Sequence, residues 1–407
     1  VNEQQMLQAA ARLESEAASD VSLWHRMRAR WAEGDLGLLP VVIGLIVIWI
    51  VFQAVNGNFL SGRNLSNLVL QIAEIGMLAV GETFILLLGE IDLSIAAVSG
   101  VAAGVLVLAA DGGWGAWPAV LASVACGAAI GAFQGFWVTV IGVPSFIVTL
   151  AGSLGYQGIL LAMLGQEGTV PLQNGSLLSI ASSYVPSGAG WALAVLVTIA
   201  YAWGVFRGRA LRRSRGLSAP SAKETALRAA VVGALCVVTV AVLNGYRGLP
   251  LSGLILVAFV ALFTFITQAT PFGRHVYALG GNPEAARRAG IRLGTVRIAV
   301  FTLASTLGAI GGILGASRLG SASPASGGGN LLLDSIAAAV IGGTSLFGGR
   351  GFVYNALAGA LVIGSIENGM DLLSAPSSVK YVIEGSILLI AVTIDTITRR
   401  RRARTGR

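Results

Sequence analysis

Apolar residues fall along this chain in long blocks. Six lie near 36–55, 67–88, 93–110, 116–141, 144–164 and 191–206, and six more near 229–244, 250–268, 297–316, 331–347, 352–369 and 379–397. Crossing ~30 Å of hydrocarbon at 1.5 Å per residue takes about 20 apolar residues, so most blocks are long enough to span a bilayer as helices. The blocks 191–206 and 229–244 are the shortest. No series of alternating ten-residue strands is present, which excludes a transmembrane β-barrel. The pattern predicts an all-α polytopic membrane protein of about twelve helices.

Basic residues test that count independently. With twelve spans and a cytoplasmic N-terminus, the cytoplasmic segments are 1–35, 207–228, 269–297, 348–351 and the C-terminal tail. They hold all of the 27 Lys and Arg except Arg63, Arg247, Arg318 and Lys380. Such asymmetry is what the positive-inside rule expects, with both termini cytoplasmic. The predicted organisation is a tail over 1–35, a transmembrane domain over 36–398 and a basic tail over 399–407. No short apolar core with a small-residue cleavage site occurs in the first 35 residues, so no cleavable signal is predicted there. Asp20 caps a predicted interfacial helix that places Val21, Trp24, Met27 and Trp31 on one face.

Composition agrees with the pattern. Hydrophobic residues make up 55% and charged residues 11%, against about a quarter charged in soluble chains. The formal charge of +8 invites a nucleic-acid partner, but the basic residues lie between apolar blocks instead of on one soluble face, which excludes it. Cys126 and Cys236 both sit in apolar runs without metal-ligand neighbours.

Enzymatic chemistry has little to work with. His25 and His275 have no partner at metal-ligand spacing, and no G-x-S-x-G elbow or Walker lysine motif occurs. The expectation is a non-enzyme that binds no cofactor or metal. Glycines recur at four-residue steps instead: Gly127, Gly131 and Gly135, Gly308 with Gly312, and Gly311 with Gly315. Small residues at that spacing let helix backbones approach closely in lipid.

Polar groups inside spans are costly and tend to face an interior path. Gln71, Glu74 and Glu82 lie close to one face of the second span. Ser145, Thr149 and Ser153, extended by Gln157, form a hydroxyl stripe on the fifth. The stripe either bonds its own helix carbonyls or lines a path suited to a neutral polyhydroxylated solute. Asp334 and Glu367 add two acids, and Asp334 can also cap a helix start.

The segment 269–297 carries the sharpest local signal. Asn282 is a candidate N-cap, Pro283 suits the first helical position, Glu284 favours the positive helix end and Gly290 can end the helix. A short, firmly capped helix of seven residues is thus predicted in a cytoplasmic loop, better suited to docking than to connecting. Pro283, Ala285, Ala286 and Ala289 offer a small surface for close approach, while Glu284, Arg287 and Arg288 share a face that sets register.

With its flanking Pro271–Gly281 and Ile291, this loop resembles the coupling segment of permease subunits in bacterial ABC importers for ribose, xylose, arabinose and galactosides. Gly89-Glu90-Ile91-Asp92-Leu93-Ser94, the stretch from Val143 to Gly152 and Ile341-Gly342-Gly343-Thr344-Ser345-Leu346 match that family too. The resemblance runs from about residue 40 to 400 and is greatest to the xylose branch, through Pro144–Leu150 and the basic loop 207–228. It implies a ten-span core enlarged by the inserted pair 191–206 and 229–244. It also implies a subunit in a bacterial plasma membrane that works beside a second permease copy. An ABC ATPase carrying ATP and Mg would grip Gly281–Gly290, and an extracytoplasmic sugar-binding protein would deliver cargo. Glu74 and Glu82 depart from related xylose permeases. Two alternatives stand beside this reading: an ABC permease for another small solute, and a proton-coupled carrier using Glu74 or Glu82.

Overall fold

A computed structural model describes residues 38–165 and 168–404. The interfacial helix predicted at Val21–Trp31 lies outside the described residues. Helices dominate. In chain order they are α1 Leu39–Val55, α2 Gly62–Leu88, α3 Ile95–Asp111, α4 Ala116–Phe136, α5 Ser145–Leu164, α6 Gly175–Ser182, α7 Ser187–Ser214 and α8 Ala222–Asn244. There follow α9 Leu251–Ala269, α10 Pro271–Gly281, α11 Pro283–Arg288, α12 Leu293–Leu319, α13 Leu331–Ile341, α14 Val353–Leu372 and α15 Ser377–Arg404. A π-helical turn, Trp137–Ile141, extends α4. Four two-residue strands form two antiparallel pairs, β1 (Val170–Pro171) with β4 (Ser321–Ala322) and β2 (Tyr184–Val185) with β3 (Leu249–Pro250).

Among the described residues, seven helices are long and apolar enough to cross a membrane, α2, α5, α9 and α12 among them, and α1, α3 and α13 are apolar but shorter. Tertiary contacts divide the chain into two units. The larger comprises 38–186 with 242–396, and the smaller is built on 187–241.

In the larger unit α2 and α12 form the centre. Residues 75–88 of α2 are buried without interruption, as expected of a helix apolar on all sides. Phe84, Leu87, Val300, Phe301 and Leu307 belong to one core cluster with Val276 and Leu279 of α10. The glycine stripes seat these helices. A Cβ on Gly312 would lie 2.0 Å from the Ser99 carbonyl, and one on Gly308 would meet Ile95, so this face of α12 holds α3. Gly311 and Gly315 turn toward Leu78 and Glu74 of α2, while Gly127, Gly131 and Gly135 of α4 press on α12 at Ser305, Phe301 and Ile298. Close backbone approach is the physical role that the four-residue spacing implied.

In the smaller unit, Gly233 of α8 faces the Thr198 methyl of α7. Here the basic loop is narrower than the predicted 207–228, because α7 runs to Ser214 and α8 starts at Ala222. A capping box starts α8: Ser221 Oγ accepts from Glu224 N–H, and Glu224 accepts from Ser221 N–H. Arg209 and Arg212 donate to the Pro220 and Ser218 carbonyls, closing the turn.

Three other boundaries differ from expectation. The segment 269–297 is almost wholly helical, since α10 and α11 fill it and α12 begins at Leu293. The block 331–347 is helical only to Ile341, after which positive-φ glycines at 343, 348, 349 and 351 turn the chain. At the C-terminus α15 continues to Arg404, through most of the expected tail.

Candidate functional site

The N-terminal half of α2 opens on a cavity of about 420 Å³ walled by α2, α3, α12, the loop 325–330, α13, α14 and α15. That volume lies within the range of small-molecule sites. Gln71, Glu74 and Asp334, predicted from sequence, line it together with Glu367. Arg318, Asp371, Lys380 and Glu384 line it as well, and sequence reasoning had not placed them there.

Polar contacts fix these side chains. Asn64 Nδ2 donates to Asn368 Oδ1 at 2.7 Å, Asn368 Nδ2 donates to Gln71 Oε1 at 2.9 Å, and Gln71 Nε2 reaches Asp371 at 3.4 Å. This amide relay ties α2 to α14. Glu74 pairs with Arg318 at 3.8 Å, and its carboxylate lies over Gly315, where a Cβ would be 2.5 Å from it. Lys380 pairs with Asp371, and Asn330 donates to Glu384. Five carboxylates and two cations thus share the lining. The site has hydrogen-bonding groups of both kinds and a surplus of acceptors, which matches hydroxyl-rich solutes and disfavours anions.

Ser145, Thr149 and Ser153 are not among the lining residues. Ser145 Oγ instead accepts from Ile91 N–H at 3.3 Å, and Thr149 Oγ1 donates to the Ser145 carbonyl at 2.9 Å and approaches the Ile91 carbonyl at 3.4 Å. These two hydroxyls therefore brace the non-helical break at 89–94 and bond their own helix. Glu82 is also away from the cavity. It is fully buried, and neither carboxylate oxygen has a hydrogen-bond partner among the described residues.

A second feature lies at the other end of α2. Thr270 caps α10, its hydroxyl accepting from Gly273 N–H, and Pro271 occupies the first turn. Asn282 caps α11 by accepting from Ala285 N–H at 3.0 Å, and Gly290 takes a φ of 82° just beyond the helix. The capping prediction is met, although α11 has six residues instead of seven because Ala289 already leaves helical geometry. Glu284 bonds both Arg287 and Arg288 on the exposed face, at 3.0 and 3.3 Å. Exposed pairs of this kind contribute little to stability. Pro283, Ala285 and Ala289 are exposed, but Ala286 is only 4% exposed. It packs into its own chain, which removes it from the expected docking surface.

The α10–α11 junction abuts α2 directly. A Cβ on Gly280 would lie 1.7 Å from the Leu87 carbonyl and 2.7 Å from Gly349 N. Gly349 N–H donates to that same carbonyl at 2.8 Å. Tyr277 hydroxyl donates to the Gly351 carbonyl at 2.7 Å, and burial, with Tyr354 nearby, pushes its phenol above the ordinary value, so it remains a donor. Glu90, two residues past the end of α2, pairs with Arg297 of α12 at 3.2 Å. The end of α2, the α10–α11 hinge and the glycine turn at 348–351 thus form one packed joint.

Residues 64–392 match the family described as branched-chain amino acid transport system / permease component. The chain is 38% identical over 372 residues to the xylose transport system permease protein XylH of Escherichia coli, covering 90% of this chain and 93% of that protein. It is 31% identical over 369 residues to the ribose import permease protein RbsC of Bacillus subtilis, with 89% and 94% covered. Identity to the L-arabinose ABC transporter permease protein AraH of Azospirillum brasilense is 30% over 368 residues, with 89% and 88% covered. No solved structure matches the chain significantly.

Proposed function

Because the chain belongs to the family of branched-chain amino acid transport system permease components, we propose that it is the membrane-spanning subunit of an ABC importer for a monosaccharide, xylose or a similar sugar. It is a multi-pass membrane protein and a transport component, not an enzyme. In this reading it sits in a bacterial plasma membrane with twelve spans and both termini cytoplasmic. The chain itself binds no cofactor. ATP and Mg belong to a partner ATPase beneath it, a sugar-binding protein delivers cargo from outside, and a second permease copy completes the path.

One observation carries the proposal. A single helix, α2, runs from the cavity residues Gln71 and Glu74 to Leu87, where Gly280 and Gly349 pack on its final carbonyls. Its 27 residues make a rod of ~40 Å at 1.5 Å per residue, long enough to join the two faces of a bilayer. In the proposed orientation the cavity faces outward and α10–α11 faces the cytoplasm. Closure of the ATPases on ATP would press α11 through the packed joint onto α2, and α2 would carry that displacement to the cavity wall. Gly281–Gly290 form the ATPase contact in this scheme, and Gln71, Glu74 and Asp334 contact the sugar.

A proton-coupled carrier is less well supported, because Glu82 lies off the cavity and Glu74 is paired with Arg318. Uptake of labelled xylose into proteoliposomes holding the permease, its ATPase and its binding protein tests the choice. The expected result is accumulation that needs ATP, survives a protonophore and persists in Glu82→Gln. Accumulation driven by a proton gradient without ATP would remove the importer reading.

A further inference from the structure

The turn between α7 and α8 gathers charge that the transport reading does not use. Residues 207–228 carry seven Lys and Arg and a single acid, Glu224, whose carboxylate closes the capping box of α8. Arg209 Nε donates to the Pro220 carbonyl and Arg212 Nε to the Ser218 carbonyl, each at 3.0 Å. The two arginines are three residues apart on α7, so their stems rise from neighbouring positions on one helix face. Their heads land on carbonyls two residues apart, a stretch of chain at most ~7 Å long. Both guanidinium groups are therefore fixed in orientation and held as neighbours.

In each of them only Nε is spent on the protein. The terminal nitrogens of Arg209 and Arg212 have no hydrogen bond or ion pair among the described residues. Two like charges held as neighbours repel, and an anion between them relieves the repulsion. Free guanidinium forks match the paired oxygens of a phosphate. We propose that Arg209 and Arg212 bind the phosphodiester headgroup of an anionic glycerophospholipid at the membrane surface.

The surroundings favour a lipid over a soluble anion. α7 and α8 are both long and apolar enough to cross a membrane, and little of the apolar stretch of either is buried, so acyl chains have helix surface to lie on below the forks. Trp203, six residues before Arg209, is exposed, and the Arg207 guanidinium lies over its ring at 4.9 Å. Tryptophan near the end of a span sits at headgroup level, which puts the forks close to the depth of lipid phosphates. Leu211 and Leu217 are exposed among the basic residues, where an acyl chain is a better neighbour than water. Anionic leaflets also attract the other basic residues of the turn, but those contacts are interchangeable, whereas the forks have a set geometry.

The test is native mass spectrometry of the purified full chain in detergent, titrated with phosphatidylglycerol or phosphatidylcholine. The expected result is about one phosphatidylglycerol retained per chain at concentrations where phosphatidylcholine leaves no adduct. Arg209→Lys combined with Arg212→Lys keeps the net charge but removes the forks, and should weaken that retention about tenfold. Arg213→Gln combined with Arg215→Gln removes two charges from the same turn and should weaken it no more than about twofold. The wild-type comparison and the glutamine pair decide by themselves if the lysine pair fails to fold. Equal retention of the two lipids would overturn the site. Loss in the glutamine pair with none in a folded lysine pair would overturn it too, by assigning the preference to diffuse charge. Displacement of the lipid by inorganic phosphate, where chloride at equal ionic strength has no effect, would assign the forks to a soluble anion instead.

Discussion

Gly280→Ala is the perturbation the packed joint is least able to absorb. Its new methyl would stand 1.7 Å from the Leu87 carbonyl oxygen and 2.7 Å from Gly349 N, both backbone atoms that no rotamer change can move. Restoring ordinary contact, ~3.4 Å, requires α2 and the glycine turn to separate by more than an ångström. Overpacking of this kind costs roughly 1–3 kcal/mol. The Gly349 N–H bond to Leu87, 2.8 Å long, would be lost as well, adding ~1–3 kcal/mol for buried groups left unpaired. The expected penalty is therefore about 2–6 kcal/mol, concentrated where α10–α11 bears on α2. Gly281→Ala is the control one residue away, because a Cβ there meets nothing within 4 Å. It should stay within ~0.5 kcal/mol of wild type. Thermal unfolding of the purified permease together with ATP-driven sugar uptake reads both variants. Gly280→Ala should unfold several degrees lower and lose most uptake, and Gly281→Ala should keep the wild-type unfolding midpoint. Equal behaviour of the two would refute the claim that this joint couples α11 to α2.

Other outcomes follow from the same geometry. Ala285→Trp, on the exposed side of α11, should leave unfolding unchanged while abolishing co-purification with the ATPase, whereas Ala286→Trp should lower stability because that residue is buried. Glu74→Gln removes the charge facing Arg318, and Gly315→Ala places a methyl against the Glu74 carboxylate; each should raise the KM for sugar uptake several-fold with ATPase association intact. Single cysteines at the exposed Ser176 and Ser214 should react with an impermeant thiol reagent from outside and from the cytoplasm, respectively, and labelling of Ser214 from outside would remove the inserted pair from the topology.

Local signals were legible wherever the chain itself supplied both partners. The Asn282 cap, Pro283 in the first turn and Gly290 beyond the end all take their expected places. Four-residue glycine steps likewise marked the faces of α4 and α12. α10 escaped notice because its glycines and flanking prolines resemble a loop. The apolar series Phe272, Val276 and Leu279, at steps of four and three, was the available helix signal. Cavity composition was harder to see. Arg318, Asn330, Asp371, Lys380 and Glu384 meet α2 only through tertiary folding, and nothing in their local sequence states that convergence. Hydroxyl spacing on α5 marks a stripe, yet spacing cannot say which neighbour a stripe faces. Here Ser145 and Thr149 face Ile91. Small size placed Ala286 on the docking surface with its neighbours, but size alone does not distinguish a partner from the chain's own core, where Ala286 is buried.

The glycine seating of α12 has a further consequence for how sugar choice can diversify. Three neighbouring helices rest against α12 nearly backbone to backbone, so drift at those positions is punished whatever the cargo. On the opposite wall α15 carries a single glycine, Gly385, which touches nothing within 4 Å. There Lys380, Tyr381 and Glu384 project into the lining, and the pairs to Asp371 and Asn330 can be rebuilt from side chains alone. Selection can therefore rewrite the α15 wall while the frame around α12 stays fixed, and swapping that short stretch between relatives is the economical route to a permease with altered appetite.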